Sequence, residues 1–149
     1  MNIDNRVQAV FDKAMYLIDA QSENTGFTVT NHTKEYQVRT LGILNTLLDL
    51  VYPASSTFPS HWEGPRPALP DLTGFEDRLD LDARILRATL PCGLAARLLS
   101  EENPQLANYF QQCFEESLSE ARTRRPALFD TTWDALPYGG IEHGRYATW

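Results

Sequence analysis

The stretch from Asp80 to Arg125 constrains this chain most, because Asn103-Pro104 splits it into two runs with one helical rhythm each. Leu81, Ile85, Leu86, Thr89 and Leu90 recur at three- and four-residue steps, and Leu94, Ala95, Leu98 and Leu99 resume the pattern. That spacing puts apolar groups on one face of a helix. Pro91 lacks the helical N–H and Gly93 follows it, so a kink is expected there rather than a full break. The small run Gly93 to Ala96 would let another helix approach closely. Asn103 then suits an N-cap and Pro104 the first helical position. In the second run Leu106, Tyr109, Phe110, Cys113, Phe114, Leu118 and Ala121 mark an apolar face. Arg122, Arg124 and Arg125 suit the negative end of that helix, and Pro126 stops it. Two antiparallel helices joined by a short turn are the expectation.

The first half of the chain reads in the same way. Val7, Val10, Phe11, Ala14, Leu17 and Ile18 predict a helix over 4–20, with Asp4 as its N-cap. Tyr36, Leu41, Leu44, Leu47, Leu48 and Val51 predict a second helix over 33–52, ended by Pro53. Thr73 and Glu76 fit a capping box that opens a short helix ending near Leu79, after which Asp80 or Asp82 caps the third main helix. The expected fold is all-α: a small antiparallel bundle of about four main helices over residues 1–126. Leu44, Leu47, Leu48, Leu98, Leu99, Phe110 and Phe114 are expected to share one core.

Two segments break the helical rhythm. Residues 53–73 hold five of the nine prolines, together with Phe58 and Trp62. A loop of this length is usually functional or disordered, and its aromatic rings argue against plain disorder. It is either pinned over its own bundle by Phe58 and Trp62 or docked on a neighbouring subunit. Residues 127–149 form a tail without helical or strand period, carrying Phe129, Trp133, Tyr138, Tyr146 and Trp149. Such rings must be buried somewhere, on the chain's own bundle or on another subunit. Phe58, Trp62, Phe129, Trp133, Tyr138, Tyr146 and Trp149 are therefore the candidate subunit-interface residues.

Charge and composition speak against several chemistries. The net charge is −7 over 149 residues, the opposite of what gripping a nucleic-acid backbone requires. The helix after Asn103 turns acidic at Glu115 and Glu116, unlike a recognition helix, so no specific nucleic-acid binding is expected. No apolar stretch approaches membrane-spanning length. Cys92 and Cys113 stand alone on their helical segments, and read as small buried hydrophobes rather than bridge partners. His32, His61 and His143 are scattered, without zinc spacing, so no metal site is expected. Glu142, His143 and Arg145 are the best acid–base group by composition, but they lack a nucleophile or an orienting partner. Glu76, Asp77, Asp80 and Asp82 lack the spacing of a calcium loop and suit capping instead. No catalytic residue and no cofactor are expected.

The order of segments carries a resemblance. An opening helix with VFDKAMYLIDAQSENTG, a second with YQVRTLGILNTLLDLVYP, a proline-rich loop and then LPCGLAARLLSEENPQLANYFQQCFEE resemble head–tail connector, or adaptor, proteins of tailed phages and prophages. The aromatic tail has no counterpart in that pattern. The resemblance implies a non-enzymatic helical subunit that oligomerises, as a ring, between portal and tail. It implies a homo-oligomer, portal and tail components as partners, and residence in the bacterial cytoplasm before incorporation in the virion. Without it, the residues describe a cytoplasmic helical protein–protein interaction module.

Overall fold

The structure, a computed structural model, describes residues 3–18, 33–59 and 67–124. Among the described residues it is an all-α bundle of four α-helices: α1 (Val7–Leu17), α2 (Lys34–Val51), α3 (Leu90–Leu98) and α4 (Pro104–Arg124). Helix α3 is the hub, with α1, α2 and α4 all packed against it. Its sequence explains the role. Leu90, Pro91, Gly93, Leu94, Ala95, Ala96 and Leu98 are all buried, so apolar groups run around most of its circumference. A helix apolar on nearly every side belongs in the centre of a fold.

The register of α4 on α3 is antiparallel. Arg84, the residue immediately before the π-helical turn that leads into α3, lies 3.6 Å from Glu120, and Arg97 near the end of α3 donates to Gln111 Oε1 at 3.4 Å. Helix α2 also runs antiparallel to α3. The Arg39 guanidinium donates to the carbonyls of Arg97 (3.3 Å) and Leu98 (3.5 Å), placing a cation where the last turn of α3 leaves its carbonyls unpaired. Helix α1 runs in the same sense as α3. Asn5, just before α1, is tied to Leu79, whereas Ile18 at its other end packs against the cluster that contains Ala95, Ala96 and Leu99.

Proline 91 acts within a continuous helix, as the sequence suggested. Residues Ile85–Thr89 form a π-helical turn that leads directly into α3, with the Leu90 N–H bonding back to the Ile85 carbonyl. In a regular α-helix the Pro91 ring would crowd the carbonyl of Arg87, and a widened turn relieves that crowding. Thr89, fully buried in this turn, has a hydroxyl without a hydrogen-bond partner among the described residues. Asn103 caps α4 as expected: its Oδ1 accepts from the Leu106 N–H at 3.2 Å.

Three expectations change. Helix α1 starts at Val7 with Arg6 in the N-cap position, not at Asp4. The Val7 and Gln8 N–H groups bond to the carbonyls of Asp77 (3.0 Å) and Phe75 (2.9 Å), so a distant segment caps this helix. Second, Thr73 and Glu76 form no capping box and no short helix follows. Asp77 takes that place, its Oδ2 accepting from the N–H groups of Thr73 (2.7 Å) and Gly74 (3.1 Å), while Glu76 reaches Arg6. The chain then turns extended, because Leu79 and Asp77 spend their backbone groups on the N-terminal segment. Third, the expected single core is two clusters. Leu44, Leu47, Leu48, Leu98 and Phe114 belong to the larger one, whereas Leu99 and Phe110 join Ala95, Ala96 and Ala107 in a smaller one. Small alanines carry α3 into that second seam.

Candidate interaction surface

The described parts of the proline-rich segment are fastened to their own bundle. Phe58 is 5% exposed. It packs edge-on against Tyr52, with ring centroids 5.0 Å apart. Leu72, Leu79 and Leu81 are buried in the same core. Asn45 on α2 holds Leu72 twice, its Oδ1 accepting from the Leu72 N–H at 2.7 Å and its Nδ2 donating to the Leu72 carbonyl at 3.3 Å. Ser55 and Ser56 bind the other end: Ser55 Oγ accepts from the Asp82 N–H, and the Asp82 carboxylate accepts from the Ser56 N–H and hydroxyl. Phe58, offered by the sequence as an interface residue, lies inside its own subunit. Trp62, Phe129, Trp133, Tyr138, Tyr146 and Trp149 lie outside the described residues, as do His61, Glu142, His143 and Arg145.

The acidic cluster is divided among structural tasks. Glu76 pairs with Arg6 at 3.0 Å, Asp77 caps its own turn, and Asp82 binds Ser56. These carboxylates therefore point to different partners and do not converge. An open cleft of about 620 Å³ lies beside them, bordered by Asp4, Asn5, Arg6, Arg78 and Leu86. Its two arginines are already engaged. Arg6 binds Asp4 at 2.7 Å as well as Glu76, and Arg78 donates to Asn5 Oδ1 at 2.8 Å. The Arg6 side chain and backbone bonds pull the Asp4 carboxyl down to about 2. The two carboxylates raise Arg6 above its ordinary value. Among the described residues no group of three or more His, Cys, Asp or Glu side chains could hold a metal ion, and no helix is long and apolar enough to cross a membrane.

Solvent-facing apolar groups are the feature the sequence reading missed. Val38 on α2 is 83% exposed, Tyr16 on α1 67% and Tyr109 on α4 59%. Leu17 and Leu50 are exposed less strongly. A signal existed in the helical phase. Tyr36, Thr40, Leu44, Leu47, Leu48 and Val51 are the buried side of α2. Val38 follows Tyr36 by two residues, about 200° around the helix, so it faces away. Tyr16 likewise falls outside the Val7, Val10, Phe11, Ala14 and Met15 stripe of α1.

Tyr109 and Cys113, assigned above to the core face of α4, correct that assignment. The buried side of α4 is Ala107, Phe110, Phe114 and Leu118; Cys113 is partly exposed and Tyr109 largely so. Both stand at the edge of the stripe, one turn apart, and a list of apolar letters does not distinguish edge from centre. Compared with known proteins, the chain matches no family model, no curated protein and no solved structure.

Proposed function

We propose that this protein is a structural subunit that assembles with copies of itself, of the head–tail connector type that its sequence resembles. The observation that carries the reading is the placement of Tyr16, Val38 and Tyr109, more than half exposed on three separate helices. A closed ring of identical subunits joins one patch of each copy to a different patch of the next, so a ring subunit needs contact surfaces on more than one side. Apolar groups carried by α1, α2 and α4 around a buried α3 supply them. The portal and tail components of a virion are the partners this role entails, with assembly in the bacterial cytoplasm.

Light scattering over a wide range of protein concentration tests the assembly. The expected result is a mass that rises with concentration toward one closed multi-copy species. Val38→Glu and Tyr109→Glu should each lower that mass while leaving helicity and thermal stability close to wild type, since substitutions at exposed sites usually shift stability by about 0.5 kcal/mol or less. A strict monomer at every concentration that also fails to bind an isolated portal ring would sink the reading. It would leave the monomeric interaction module as the description of the chain.

A further inference from the structure

We propose that Cys92 and Cys113 are a dithiol that closes into a disulfide across the α3–α4 seam, making this seam an oxidative modification site. The sequence places the two residues on separate helices with nothing to relate them. The structure relates them through register. Arg84 opposite Glu120 and Arg97 opposite Gln111 bracket the pair on an antiparallel crossing. Position 92 lies eight residues beyond 84, and position 113 lies seven residues before 120, so the same register brings the two cysteines opposite each other.

A bridge requires the two helices to pack closely. Disulfides need Cα atoms within about 7 Å, closer than most helix axes pack. Gly93 adjoins Cys92, and a Cβ built there would lie 2.8 Å from Phe114 Cδ1, beside Cys113. The residues that follow the two cysteines in sequence, Gly93 and Phe114, are therefore packed against each other. Both thiols are partly exposed, so a small oxidant can reach them. Their electrostatic environment agrees with this proximity. Burial, then Cys113, pushes the Cys92 thiol up, and the Tyr109 phenol is raised first by Cys113 and further by Cys92. The inference is independent of the assembly reading.

The chemistry needs an oxidant, and a low-molecular-weight disulfide supplies it. One cysteine thiolate attacks a sulfur of that disulfide, forming a mixed disulfide and expelling one small thiolate. The second cysteine thiolate then attacks the protein sulfur of the mixed disulfide and expels the other. The net change is two protein thiols plus one small disulfide giving one protein disulfide plus two small thiols. The protein loses two electrons, the small molecule gains them, and the thiol protons end on the two released thiols.

The full-length protein is incubated, folded, in oxidised glutathione, quenched with an alkylating agent and weighed intact, then digested without reductant. The expected product has lost two hydrogen atoms, carries neither glutathione nor alkyl groups, and yields a peptide joining Cys92 to Cys113 within one chain. Its melting temperature should exceed that of the reduced protein by roughly 5–10 °C, because the bridge closes a loop of about 20 residues. Cys92→Ser should instead take one glutathione on Cys113. Two glutathione adducts on the wild type, persistence of both free thiols, a bridge between chains, or an unchanged or lowered melting temperature would each overturn the proposal.

Discussion

Gly93 shows how one side chain sets the spacing of two helices. In isolation, glycine inside a helix costs about 1 kcal/mol relative to alanine. Here an added methyl would meet Phe114 Cδ1 at 2.8 Å and Leu47 Cδ1 at 3.2 Å, against a ring that is 2% exposed. Overpacking a dense core costs typically about 1–3 kcal/mol, so the clash outweighs the propensity gain. Gly93→Ala should lower the urea midpoint without changing the slope of the transition; a raised midpoint would show that Phe114 yields without strain. Sequence alone suggested close approach at the Gly93–Ala96 run, and the structure names Phe114 and Leu47 as the groups that approach. The phase of Val38 was equally readable, since it depends on α2 alone. The two cysteines were not, because their relation depends on the register between two helices.

At the scale of elements, one polar contact ties the start of α2 to the turn between α3 and α4. The Tyr36 hydroxyl, at the start of α2, donates to the Glu102 carboxylate in the α3–α4 turn. Burial and Glu102 push the Tyr36 phenol up to about 12 from an ordinary value of 10.0. The folded state therefore holds this proton more tightly than the unfolded state does. The resulting stabilisation is fully present below about pH 10 and is lost as pH rises through about 12. Thermal unfolding should fall over that window, and Tyr36→Phe should reduce the fall while lowering stability at neutral pH by about 1 kcal/mol through loss of the hydrogen bond. An unaltered alkaline slope in the variant would show that Tyr36 is not the titrating group. Contacts of this kind were not legible, since Tyr36 and Glu102 stand 66 residues apart. Helix α1 makes the same point: it begins at Val7 because carbonyls of residues 75 and 77 receive its first N–H groups.

For the whole molecule, α3 decides cooperativity. Leu90, Leu94 and Leu98 contribute to the larger hydrophobic cluster, whereas Ala95, Ala96 and Leu99 contribute to the smaller. Neither cluster can be dismantled without disturbing the helix that serves both, so the described bundle should unfold as one unit. Urea transitions followed by far-UV circular dichroism and by tyrosine absorbance should coincide; an earlier absorbance transition would show that part of the bundle opens by itself. What the sequence determined by itself was local: helices, the stop at Pro53, the start at Pro104 with its Asn103 cap and the all-α class follow from spacing and backbone chemistry within a few residues. The tertiary structure decided the rest. Which edge of a stripe meets solvent, whether Asp77 or Glu76 caps a turn, and that Phe58 lies inside its own subunit all depend on which distant segment occupies the neighbouring space. Helical periodicity carries no information about that neighbour.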